Sequence, residues 1–276
     1  MAVRSVSVCC QIMLLSGLLA LNACSGDDAD GKKLESERPV EQLYQEAARA
    51  LEDGDYKPAA KNFEEVERQY PYSQWATKAQ LMAAYAQYQG EDYDAAIGTL
   101  DRFIQLHPGN EAIAYAFYLR AISFYDRIAD VRQDQSMTRE ADKALQDVVG
   151  RFPDTSYARD ATLKLSLVQD QLAAAEMEVG RYYLKRKIYN AALPRFQKVV
   201  AEFQTTSQTP ESLHRMVECY LALGIRKEAQ ASAAVLGHNF PGSTWYQFSY
   251  DLLNGEGLKP QAEETSWIGK AWRKIF

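Results

Sequence analysis

The chain has 276 residues, 47% of them hydrophobic and 25% charged, enough apolar material for a sizeable core in one or two units. Acidic residues outnumber basic ones by 37 to 31, and the pI of about 5.3 argues against a nucleic-acid binder. Four cysteines, two of them within the first ten residues, leave little scope for a disulfide framework, so stability must come from packing.

Residues 1–23 carry one basic residue, Arg4, and then the apolar runs 12–15 and 18–21. This is the pattern of a secretory signal, too short to span a bilayer as a helix. Cys24 follows Leu21-Asn22-Ala23 directly, which resembles a bacterial lipobox, with Asn22 a less usual residue at its place. The resemblance implies cleavage after Ala23, a thioether-linked diacylglycerol on Cys24 and acylation of the new amino group. That exceeds the two signals needed for stable membrane attachment. Ser25, where an aspartate signals inner-membrane retention in many bacteria, implies the periplasmic face of the outer membrane. With Cys9 and Cys10 removed and Cys24 lipidated, only Cys219 remains. Residues 24–38 are polar and highly charged, the composition of a flexible tether that cannot bury enough surface to fold.

From Pro39 to about Leu253 the pattern is helical, with no sustained period-2 alternation. Counting back from Pro71 gives Val66 at five, Phe63 at eight, Ala59 at twelve and Tyr56 at fifteen. The same offsets from Pro108 give Phe103, Leu100, Ala96 and Tyr93; from Pro153, Val148, Leu145, Ala141 and Thr138; from Pro241, Leu236, Ala233, Ala229 and Arg226. A fifth copy has Tyr189, Ala192, Phe196 and Val199, with Gln204 in place of proline. The small residue lets two helices approach, the larger ones fill the groove between hairpins, and proline stops the helix.

This pattern resembles the tetratricopeptide repeat, a helical hairpin of about 34 residues, and implies an all-α superhelical solenoid of about five hairpins over residues 39–253. The first helices match less well, with Glu46 and Glu176 standing where apolar residues are expected. The third unit is too long, and the excess is assigned to an insertion at 129–137, too polar for core. It is either a tolerated surface loop or a partner contact.

No catalytic or metal motif stands out: there is no HExxH, CxxC, glycine-rich phosphate loop or GxSxG, and the three histidines are dispersed. No catalysis and no cofactor are expected. The fourth unit carries GRYYLKRK at 180–187 and Arg195 beyond it; Arg181 and Lys185 share a helix face. That patch either docks an acidic partner or merely solubilises the helix. Tyr44 falls where repeats of this type line their groove, as a peptide contact or simply an exposed tyrosine. Residues 254–276 form a linker and an amphipathic tail, with Trp267, Ile268, Ala271, Trp272, Ile275 and Phe276 on one stripe. Capping the last repeat is the preferred reading, with partner or membrane contact as alternatives.

Lipobox, tether and repeats, together with LDRFI at 100–104, DVRQDQ at 130–135, GRFPDTSY at 150–157, VGRYYL at 179–184 and Arg195, resemble the BamD family of outer-membrane protein assembly factors. The resemblance runs from about Val40 to Leu253. It implies a non-catalytic subunit of the BAM complex that binds the BamA POTRA domains and works with other BAM lipoproteins and unfolded outer-membrane proteins. On this pattern repeats one and two, with Tyr44, meet substrate. Repeats three to five meet BamA, with Arg181, Lys185, Arg195 and the insertion residues Arg132 and Asp134. A different envelope scaffold, working with peptidoglycan or division proteins, is the alternative; an unrecognised enzyme is a more remote one.

Overall fold

The computed structural model describes residues 38–263 and 266–272, the side chains of Ala271 and Trp272 excepted. Among them are twelve helices and no strands. Ten form five antiparallel hairpins: α1 (Val40–Glu52) with α2 (Tyr56–Gln69), α3 (Gln74–Gln89) with α4 (Tyr93–Leu106), α5 (Ile113–Tyr125) with α6 (Ser136–Arg151), α7 (Ser156–Lys185) with α8 (Tyr189–Glu202), and α9 (Thr209–Ala222) with α10 (Arg226–Asn239). Then come α11 (Thr244–Gly255) and the short α12 (Trp267–Trp272). From α1 to α11 each helix packs on its chain neighbours, and α1, α3, α5 and α7 also touch in series, so the first helices form one wall of a tetratricopeptide-like solenoid. Cys24, the leader and the tether lie outside the described residues, as do Ile275 and Phe276 of the tail stripe.

The repeated residues do the packing the offsets require. Ala59, Phe63 and Val66, with their counterparts through Ala229, Ala233 and Leu236, are all at most 1% exposed. Each second helix ends alike. Tyr70, His107, Phe152, Phe203 and Phe240 leave the helix at φ between −127° and −133°, each donating its N–H to the carbonyl four residues back. A following proline enforces that exit by excluding the α region. Phe203 adopts it before Gln204, so packing alone suffices there. The turns between first and second helices in all but the third hairpin share a left-handed residue two positions before the second helix. It is glycine at Gly54 and Gly224 but Glu91 (φ 59°) and Lys187 (φ 60°) in the second and fourth hairpins. Gly90, beside Glu91, serves instead a close approach, since a Cβ there would lie 3.1 Å from Tyr56 Cβ.

Three features depart from the sequence reading. The insertion is shorter than 129–137, because Ser136 and Met137 begin α6 and Met137 packs on the core. Nor is the segment wholly solvated: Gln135 is 7% exposed and braces the loop, its Nε2 donating to the carbonyls of Asp130 and Gln133 at 3.0 Å. Secondly, α7 runs for 30 residues, about 45 Å at 1.5 Å per residue, and spans more than one hairpin's width. Thirdly, the tail shares the covering of the last repeat with another helix. The last hairpin is covered by α11, which packs on α9 and α10, while α12 turns back onto α10 and α8. There Ile268 is fully buried and Trp267 partly so.

Candidate functional site

The polar loop 126–135, the C-terminal third of α7 and the middle of α8 enclose an open groove of about 610 Å³. Val131, Arg132 and Gln135 line it from the loop, Glu176, Glu178, Val179 and Tyr182 from α7, and Arg195 from α8. Its apolar part is unusually bare for surface: Val179 is 38% and Tyr182 50% exposed. The loop is held in place by the Gln171 side-chain amide, which donates to the Ala129 carbonyl at 2.9 Å, and by Asp130, which accepts from the Arg132 N–H at 2.9 Å.

Close approach of α7 and α8 sets the groove's floor. Gly180 faces Phe196 so tightly that a Cβ would lie 2.5 Å from Phe196 Cε1. One turn earlier, Glu176 accepts from Arg195 Nη1 at 3.0 Å and from Lys198 Nζ at 2.7 Å. Burial alone would raise the Glu176 pKa, but the hydrogen bonds from Lys198 and Arg195 outweigh it and hold the carboxyl below its usual range. Glu178 reaches Arg132 Nε at 3.8 Å and Arg181 Nη1 at 2.8 Å. The groove therefore carries two arginines, one from the loop and one from α8, each tethered to a carboxylate of α7. Both stay accessible, with side chains 80% exposed at Arg132 and 45% at Arg195.

The expected site residues separate. Arg132 and Arg195 meet at the groove. Arg181 does not present a free charge: its guanidinium forks onto Glu211 of α9 at 2.6 and 3.0 Å and also holds Glu178. Arg215 joins from α9, bonding Glu211 and Glu218, so this network ties the fourth hairpin to the fifth. Lys185, four residues on, is exposed at the end of α7. Asp134 is exposed and receives the Ser136 N–H at 2.9 Å at the start of α6, and these contacts with Ser136 lower its pKa. Tyr44 corrects the expectation of an exposed groove residue. It is 9% exposed, edge-on to Phe63 at 5.2 Å and covered by Trp75 at 4.9 Å, and burial raises its pKa. The sequence reading assigns Glu176 no role in the site, yet its signal was present: it breaks the apolar pattern of the first helices because its partners lie on α8.

Comparison with known proteins gives these features a family. The family described as outer membrane lipoprotein, YfiO, matches residues 36–236. An outer membrane protein assembly factor BamD of Caulobacter vibrioides is 50% identical over 240 residues, covering 87% of this chain and 79% of that protein. A BamD of Rickettsia prowazekii is 42% identical over 242 residues, covering 87% of this chain and 96% of that protein. One of Neisseria meningitidis serogroup A is 37% identical, covering 82% and 89%. The groove, its two tethered arginines and the five hairpins around them thus belong to a chain of the BamD family of outer-membrane protein assembly factors.

Proposed function

We propose that this chain is a lipid-anchored, non-catalytic subunit of the outer-membrane β-barrel assembly complex, facing the periplasm and docking on the POTRA domains of BamA through the Arg132–Arg195 groove. The observation that carries the reading is the meeting of Arg132 and Arg195 across exposed Val179 and Tyr182. Apolar contact with flanking arginines is the composition of a protein-binding patch, and a partner carboxylate entering it exchanges with Glu176 or Glu178. When it displaces Glu176 from Arg195, Lys198 remains to neutralise Glu176, so the exchange leaves no orphaned acid. Repeats one and two receive unfolded barrel precursors, with Tyr44 acting from beneath that surface as the support for Trp75. Other BAM lipoproteins attach to the same assembly. Cys24 supplies the attachment, consistent with the lack, among the described residues, of any helix long and apolar enough to cross a membrane.

The test is direct binding of the purified chain to the periplasmic domains of BamA, with Arg195→Glu and Lys57→Glu compared. The reading expects roughly tenfold or more loss for Arg195→Glu, read as faster dissociation, and no change for the exposed Lys57→Glu on α2. Equal affinity for all three proteins would refute the groove's role.

A further inference from the structure

The edge of the solenoid where first helices turn into second helices changes sign along its length. In the first two hairpins it holds Glu52, Asp53, Asp55 and one cation, Lys57, then Glu91, Asp92 and Asp94. In the fourth and fifth it holds Lys185, Arg186 and Lys187, then Arg226 and Lys227. The residue just before each second helix changes with it. Asp55 and Asp92 give way to Ile188 and Ile225, which are 46% and 44% exposed. The C-terminal strap adds to the same edge. Gln230 donates to the Lys259 carbonyl at 2.8 Å, and the Trp267 N–H reaches Glu228 Oε1 in the first turn of α10 at 3.3 Å.

Of these cations Arg226 has a carboxylate, Glu256, at 3.9 Å. Lys185, Arg186, Lys187, Lys227 and Lys259 have none among the described residues; Arg186 instead stacks on Tyr182, 4.0 Å from the ring centroid. A surface that merely solubilises a helix interleaves both signs and does not tip its turns with isoleucine. A protein hot spot sets its anchors in a packed pocket, whereas these side chains stand on a projecting rim formed by consecutive turns. Flexible cations around exposed apolar tips match a flat, negatively charged interface, where alkyl groups enter the headgroup layer and ammonium groups meet phosphates.

We propose that the α7–α8 and α9–α10 turns, with the strap beside them, form a contact for an anionic phospholipid surface. This contact borders the Arg132–Arg195 groove, since Arg186 stacks on the groove residue Tyr182, and does not depend on the acyl anchor. It orients the fourth and fifth hairpins toward a bilayer while the acidic edge of the first two faces away.

The test is co-sedimentation of the full chain from residue 24, carrying Cys24→Ser so that no acyl chain contributes. The vesicles are phosphatidylcholine alone or phosphatidylcholine with phosphatidylglycerol. Binding is expected only to the anionic vesicles and should weaken as salt rises. Combined Lys185→Gln, Arg186→Gln, Lys187→Gln and Lys227→Gln should weaken it by about fivefold per cation removed. Ile188→Ser with Ile225→Ser should weaken it without altering the salt dependence. All changes are at exposed positions, and an unchanged far-ultraviolet circular dichroism spectrum verifies the fold. No binding to anionic vesicles, or equal binding by the four-cation variant, overturns the proposal. A four-cation variant that binds vesicles normally but loses proteins co-purifying from the envelope assigns the edge to an acidic protein and overturns it too.

Discussion

Replacing Gly180 with alanine sets two well-measured effects against each other. Gly180 lies inside α7, where alanine is favoured over glycine by about 1 kcal/mol, so propensity alone predicts a more stable protein. The structure reverses that sign. The new Cβ would sit 2.5 Å from Phe196 Cε1 and 2.8 Å from Cζ, and Phe196 is fully buried among Ala173, Met177 and Val199 with no room to retreat. Overpacking of this kind costs about 1–3 kcal/mol, to which the lost fit between α7 and α8 adds. The net expectation is a destabilisation of about 1–2 kcal/mol. Gly98→Ala is the matched control, in α4 with no atom within 4 Å of the added carbon, and should stabilise by about 0.5–1 kcal/mol. Urea unfolding followed by circular dichroism reads both as midpoint shifts of opposite direction at similar slope. Adding Phe196→Leu should cost less in the Gly180→Ala background than in the parent, because leucine removes the colliding ring edge. A Gly180→Ala protein as stable as its parent, beside a stabilised Gly98→Ala, would refute the close approach that sets the floor of the groove.

Other consequences are quicker to check. Glu211→Gln leaves the Arg181 and Arg215 guanidiniums under-partnered and should cost about 2 kcal/mol in the same urea assay, uncoupling the fourth and fifth hairpins first. Burial alone would raise the Glu176 and Glu211 pKa values, but their arginine and lysine partners outweigh it and depress both. Each therefore contributes stability that is present above the ordinary glutamate pKa of about 4.3 and is lost as pH falls through the lower folded value. Acid titration of Glu176→Gln/Glu211→Gln should show a shallower loss of stability below about pH 4.5 than the parent; an identical slope would contradict the assignment. Cys219 is fully buried and its thiol is pushed up to about 12 by burial, so a thiol reagent should label it only after denaturation. Growth with labelled palmitate should label the parent and leave Cys24→Ser unlabelled, and label retained by the variant would remove the lipid anchor at Cys24 from the account.

How far the sequence revealed this arrangement depends on whether a contact is repeated. The alanine, the large apolar residue eight before the proline and the one five before it each recur because the same hairpin contact is made five times. Their burial was therefore readable without a fold. The groove was half legible. Arg195 stood out beside a basic stretch, and the loop and Glu176 as departures from the repeat, but the pairing of Glu176 with Arg195 is made across two helices and leaves no local mark. Arg181 was misread for the same reason: its partner Glu211 is 30 positions away on α9, so a residue that looked free is a staple. Tyr44 sits on the expected face of α1, but Trp75 of the next hairpin covers it. The path of the tail was illegible because its amphipathic stripe fits any apolar surface, and only the fold shows that Ile268 chooses the flank of α10 and α8 over the open end.

The most direct test of the central claim is co-purification. The tagged, lipidated chain and its Arg195→Glu variant would each be drawn in mild detergent from the native envelope, and the bound proteins identified and quantified. The account predicts BamA in near-stoichiometric amount with the parent and much less with the variant. Cell-wall or division proteins in place of BamA would contradict it, as would BamA held equally by both.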